Sequence, residues 1–287
     1  MAKSLLDEAE FTLGEHLRPL LEEPFRETDT SRENQIRTYL GSSLLYLVAE
    51  SEGIIPHDRK RYIFGASAGE TAGLMAAGYY NFQKGLRLAS RRGEEMHKAS
   101  IINPGAMVVA SWMAFEDGEQ LADEIDGVYA VNDNPGLQTV FSGSRVGIAT
   151  LQEKIVESEK WERVVLHIPD IIEAAHTWHM GPAVKGLKRA VRNVKMSRPH
   201  YDFMGNQAKL VRSVRKAKKQ LPRQLTRKVK LTQSADKLYH DYGVRLFVDT
   251  GQGKVLHGQM RRQFKHIKGP EAVALMSLVD ELLPVKE

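Results

Sequence analysis

The chain has 287 residues, 42% of them hydrophobic and 27% charged, enough for one large domain and a small insert. It contains no cysteine, which excludes disulfides, thiolate catalysis and cysteine metal clusters and leaves an oxygen or a lysine as the only available nucleophile. The net charge of +5 is unevenly spread: residues 183–230 hold sixteen Lys and Arg against Asp202 alone, a local net of +15 that leaves −10 for the rest.

Residues 4–21 read as an amphipathic helix, with Leu5, Ala9, Leu13, Leu17 and Leu20 at roughly helical spacing. Acidic residues interrupt the apolar positions of the first 23 residues, so a signal peptide or membrane span is not expected there and cytoplasm is the expected location. A polar stretch, 22–33, leads to a second helix over 35–50, with Leu40, Leu44, Leu45 and Val48 in register and Gly53 and Pro56 closing it. A short strand over 61–64 then runs into Gly65-Ala66-Ser67-Ala68-Gly69 and a small-residue helix over 70–77. In that strand, turn and helix context a Gly-x-Ser-x-Gly motif reads as a nucleophile elbow. Glycines flank the serine because the turn is strained and bulkier neighbours would block the backbone and the approaching acyl group.

Between 104 and 168 the pattern shortens. Residues 106–113 read as a strand, 118–125 as a helix, 128–131 and 138–142 as strands, 146–157 as a helix and 164–168 as a strand. The order βαββαβ is that of a ferredoxin-like subdomain. Helices follow, then a strand near 243–249 and a turn at Gly251-Gln252-Gly253, with no repeats or low-complexity linkers.

An α/β core with such an elbow, interrupted by such an insert, resembles the malonyl-CoA:acyl carrier protein transacylase family and the related acyltransferase domains of polyketide synthases. The match continues in order along the chain. Residues 65–70 are similar to the family's Gly-His-Ser-x-Gly-Glu, and 85–96 to its arginine-bearing helix, with Arg92 at the Arg-Gly position. Gly105-Ala106-Met107 opens the insert as in the family. Residues 132–136 resemble its Asn-x-Asn loop, which places Asn134 at the substrate, and 175–180 the segment around its catalytic histidine. Arg223-Gln224-Leu225 and residues 247–256 resemble its two C-terminal signatures. The implied fold class is α/β: a hydrolase-like core with a parallel sheet over 1–103 and 169–287, and a ferredoxin-like subdomain inserted over 104–168. Two features depart from the pattern. The family's opening strand, whose Gly-Gln-Gly-Ser loop helps build the oxyanion hole, has no counterpart in this sequence, and Ala66 and Ala68 stand where the family usually has His and a larger apolar residue.

The resemblance implies a serine acyltransferase that takes a malonyl group from CoA and gives it to the pantetheine thiol of an acyl carrier protein. A serine hydroxyl needs a neighbour to accept its proton, and His is suited to that near neutral pH. The matching segment makes His176 the base of Ser67, oriented by a backbone carbonyl as in the family. The Ala68 amide, at the start of the helix after the nucleophile, is the expected oxyanion donor. A missing second donor would cost about 2.7–4 kcal/mol of transition-state stabilisation, so low activity is expected unless that donor is supplied elsewhere. Arg92 would hold the free malonyl carboxylate through two parallel hydrogen bonds, and Gln224 would line the site.

Acyl carrier proteins are acidic, so the basic stretch, with Lys185, Arg189, Arg212, Arg215, Lys216 and Lys219, is the expected docking face. Nucleic acid is disfavoured, since no zinc-finger or RNP-type motif accompanies the charge. No cofactor or metal is expected. Glu173, His176 and His179 would share a face if their segment were helical, while Gly251-Gln252-Gly253-Lys254 lacks P-loop spacing. The competing functional readings are a serine thioesterase or hydrolase, which would want an acid between Ser67 and His176, and a catalytically impaired carrier-binding homologue.

Overall fold

The N-terminal amphipathic stretch folds as two helices, α1 (Ala2–Leu13) and α2 (Pro19–Glu22), and not as the single helix expected over 4–21. Gly14 adopts a left-handed conformation, φ 70°, and its N–H closes the last turn of α1 on the Glu10 carbonyl. The Glu10 carboxylate then accepts the Leu17 N–H at 2.9 Å, and Pro19 opens α2. The computed structural model describes residues 1–23, 30–55, 59–169, 173–266 and 269–275. Pro56, much of the polar stretch after α2 and residues 276–287 lie outside the described residues.

Helix α3 (Ser31–Ser51) starts before the expected boundary because Thr30 and Glu33 form a reciprocal capping box. It ends ahead of Gly53, which takes φ 68°. Strand β1 (Tyr62–Phe64) leads into α4 (Gly69–Ala76), and α5 (Phe82–Ile102) follows, capped by the Asn81 side chain. A Cβ at Gly93 of α5 would overlap the backbone of Arg32, and one at Gly85 would overlap the Tyr39 side chain. Glycine at these two positions therefore lets α3 and α5 pack at near-backbone distance.

The middle segment folds in the order β2 (Ala106–Ser111), α6 (Phe115–Asp123), β3 (Val128–Asn134), β4 (Gln138–Gly143), α7 (Arg145–Glu157) and β5 (Val165–His167). Its four strands pair antiparallel in the spatial order β5-β2-β4-β3. Alternation splits β2 between two cores: Val108 and Ala110 pack with Phe141 and Leu151 beneath α6 and α7, while Met107 faces the main core with Val140.

The chain continues through α8 (Gly181–Asn193), β6 (Asp202–Gly205), β7 (Lys209–Val211), α9 (Val214–Arg223) and β8 (Val229–Lys230). It ends in α10 (Leu231–His240), β9 (Leu246–Asp249), α11 (Val255–Gln263) and β10 (Glu271–Ala274). Among the described residues β1 pairs parallel with β6, and β9 with β10, while β6 and β7 form an antiparallel hairpin. Phe64 and Phe247, with ring centroids 5.9 Å apart, join the two sets. The two residues of β8 add a parallel fifth strand beside β3, joining the sheet of the middle segment to the chain that follows α9. No described helix is long and apolar enough to cross a membrane.

Candidate active site

Ser67 sits between β1 and α4 with φ 46°, a left-handed backbone that a non-glycine residue rarely adopts. A Cβ at Gly65 would overlap the Gly69 carbonyl, so the turn requires glycine there, whereas a Cβ at Gly69 would meet nothing within 4 Å. The Ser67 Oγ lies 2.8 Å from His176 Nε2. His176 also has a positive φ, 65°, and its Nδ1 lies 2.8 Å from the Gln224 carbonyl and 3.1 Å from that of Arg227. Carbonyls only accept, so Nδ1 carries the hydrogen and Nε2 is left to accept the Ser67 hydroxyl proton. Those carbonyls are presented by a 3₁₀ turn, Gln224–Thr226, at the end of α9. Burial pulls the His176 pKa down to about 4 against the opposing effect of the two carbonyls, with nearby Arg92 lowering it further. The imidazole is therefore neutral, and basic, near pH 7.

Arg92, 1% exposed, comes from the face of α5 that meets α3. Its Nη2 lies 3.4 Å from Ser67 Oγ and its Nη1 donates to Gln35 Oε1 of α3. With the Gln224 amide oxygen turned toward it, Nε and Nη2 each donate at 2.9 Å. Gln224 thus holds the base with its main chain and the guanidinium with its side chain. Burial lowers the Arg92 pKa to about 10, which keeps it cationic, and among the described residues no carboxylate forms an ion pair with it. A buried cation whose partners are neutral amides and a hydroxyl is costly unless an anion completes the site.

The next carboxylate, Glu70, is in the first turn of α4, 1% exposed. It accepts from Gln220 of α9 and, at 3.3 Å, from Asn206, which ties α4 to α9 and to the β6–β7 turn. Burial raises its pKa to about 7, opposed by Gln220, Arg92 and Asn206. The N–H groups of Gly69, Glu70 and Thr71 turn back to the carbonyls of Ala66, Ser67 and Ala68. The Ala68 N–H has no main-chain acceptor among the described residues.

Asn134 does not join this cluster through its side chain. Its Nδ2 donates to Gln138 Oε1 at 3.0 Å, and Gln259 Nε2 donates to the same oxygen at 3.0 Å, so these amides tie the β3–β4 hairpin to α11. The shared helical face expected for Glu173, His176 and His179 is also absent, because 173–177 is not helical and His179 lies in a 3₁₀ turn, Trp178–Met180. Among the described residues no group of three His, Asp or Glu is placed to hold a metal. On the basic stretch, Lys185 and Arg189 of α8 and Arg215, Lys216 and Lys219 of α9 are exposed. Arg212 is exposed too, and is bound to Asp202 by two bonds of 2.8 and 3.0 Å. Sequence reasoning missed Gln35 and Glu70: Gln35 belongs to no local motif, and Glu70 shows in sequence only as the last residue of the elbow pattern.

Over 284 residues the chain is 29% identical to a malonyl CoA-acyl carrier protein transacylase of Bacillus subtilis, covering 96% of this chain and 87% of that protein. The chain is a relative of the malonyl-CoA:acyl carrier protein transacylases. A polyketide biosynthesis malonyl CoA-acyl carrier protein transacylase of Bacillus subtilis is 28% identical over 267 residues, covering 91% and 88% of the two chains. Among solved structures, an acyl-carrier-protein-S-malonyltransferase from Bartonella henselae superposes with a TM-score of 0.85 at 25% identity, covering 98% of this chain and 91% of that one. The mixed α/β fold is that of these transacylases. No family model matches the chain.

Proposed function

We propose that the chain transfers a malonyl group from CoA to the phosphopantetheine thiol of an acyl carrier protein, through an ester on Ser67. The observation that carries this reading is the hydroxyl–imidazole contact of 2.8 Å set beside a buried guanidinium with no carboxylate partner among the described residues. As Ser67 Oγ bonds to the thioester carbonyl carbon, its proton passes to His176 Nε2. The Ala68 N–H stabilises the resulting oxyanion. Collapse breaks the C–S bond, and the departing CoA sulfur takes the proton from His176. In the second half the carrier thiol gives its proton to His176 and attacks the ester, and Ser67 leaves with that proton restored. Arg92 binds the distal carboxylate of the malonyl group, with Gln35 and Gln224 fixing its orientation, and Asn134 acts indirectly through the hairpin. No step requires a cofactor.

In architecture, the strand order β5-β2-β4-β3 with α6 and α7 on one face supports reading 104–168 as the ferredoxin-like insert. The parallel β1/β6 pair and the strained turn at Ser67 support a hydrolase-like core over 1–103 and 169–287. The carrier protein, acidic, docks on the basic face of α8 and α9, and the reaction belongs in the cytoplasm.

Initial rates with malonyl-CoA and a holo carrier protein both varied test the scheme. Parallel double-reciprocal lines are expected, with the carrier KM rising with salt more steeply than the malonyl-CoA KM. Intersecting lines would contradict release of CoA before the carrier binds.

A further inference from the structure

Because β1 and β6 run parallel, their starting residues, Tyr62 and Asp202, lie side by side at the end away from the turn that carries Ser67. A cleft of about 420 Å³ opens at that end, between residues 59–61 and 198–202. Among the described residues its walls carry Arg59, Lys60, Arg61, Arg198 and Arg212 against a single acid, Asp202.

The fold uses two of these cations to build the walls. Arg61 donates to Glu50 at 2.6 Å and to the Ile55 carbonyl at 3.2 Å, with its guanidinium 5.0 Å from the Tyr201 ring centre. Arg212 and Asp202 neutralise each other through their paired bonds. The back wall is fixed as well: the N–H groups of His200 and Tyr201 both donate to the Ala77 carbonyl, at 2.8 and 3.3 Å, just past the last residue of α4. Eight residues of α4 span about 12 Å, which separates this wall from Ser67 at the other end of the helix.

Arg59 and Arg198 make no ion pair among the described residues. Lys60 rests 5.0 Å from the Tyr62 ring centre, and Tyr62 first and Asp202 after it hold its pKa up. Like charges gathered in one concavity focus a positive potential on it. The volume of about 420 Å³ is that of a small-molecule site. Two exposed guanidinium groups and an ammonium lining one cleft supply the charge and the donor types that adjacent phosphate groups take.

We propose that this cleft binds a small oligophosphate anion, either a nucleoside polyphosphate or inorganic pyrophosphate, at a site separate from the acyl-transfer centre. The full chain would be titrated calorimetrically with pyrophosphate, ATP and AMP, using wild type, Arg59→Gln, Arg198→Gln, the double variant and Arg92→Ala. Pyrophosphate or ATP should bind more tightly than AMP and weaken about tenfold or more in the double variant, with intermediate losses in the single variants. Binding should be unchanged in Arg92→Ala and uncompeted by malonyl-CoA. ATP tighter than pyrophosphate would assign the base to the Tyr201 and His200 wall, and equal affinities would assign the phosphates alone. Absence of binding by folded protein would overturn the proposal, as would full affinity in the folded arginine variants. Loss of binding in Arg92→Ala, or displacement by malonyl-CoA, would move the anion to the acyl-transfer centre and overturn it equally.

Discussion

A histidine that titrates near 4 is neutral wherever the transfer would run, and both of its nitrogens here have fixed tasks. Protonation removes the acceptor that Ser67 needs, so activity should fall with acid only as the pH approaches about 4, not the 6.5 of a free imidazole. The pH profile of kcat/KM for malonyl-CoA reads this directly, and an acid limb centred near 6.5 would contradict the buried, carbonyl-held base. Ser67, His176, Arg92 and Gln224, which the fold brings together, each stand inside a short sequence pattern of recognisable neighbours. Gln35 was not, since its partnership with Arg92 crosses 57 positions and depends on two helices lying in contact. Asn134 shows the reverse: its local pattern was recognisable, yet its hydrogen bonds serve a hairpin and a distant helix.

At the scale of elements, the site depends on how closely α3 and α5 approach. Gly93 faces the backbone of Ser31 and Arg32, so Gly93→Ala forces the helices apart at the residue beside Arg92. It should cost about 1–3 kcal/mol of stability and weaken preference for malonyl over acetyl. Gly69→Ala, where a Cβ meets nothing within 4 Å, should leave the unfolding midpoint nearly unchanged. Thermal unfolding of the pair checks this, and equal midpoints would deny that close packing positions the arginine. The order βαββαβ was readable because alternating strands and apolar-faced helices leave distinct periodicities. The break at Gly14 was hidden because Leu17 and Leu20 keep helical spacing across it. Strand β8 was invisible for another reason: two residues carry no periodicity, and only backbone pairing with β3 makes them a strand.

Across the whole molecule, the proposed acyl choice and acyl transfer draw on parts distant in sequence. The elbow follows β1, the guanidinium comes from α5, the base follows the middle segment, and the carbonyls that orient it end α9. The net of +15 over 183–230 was plain in composition, but its division was not: α8 and α9 expose one share, while Arg212 is spent on Asp202 in the wall of the cleft. The central claim is that Ser67 carries the acyl group and Arg92 selects a carboxylated one. Intact-mass and peptide mass spectrometry after exposure to malonyl-CoA or acetyl-CoA tests both halves, with Ser67→Ala and Arg92→Ala alongside. The account predicts a malonyl adduct on Ser67, absent from Ser67→Ala, and a malonyl preference over acetyl that disappears in Arg92→Ala. Folded wild-type protein that forms no adduct, or an Arg92→Ala variant that keeps the full malonyl preference, would contradict it.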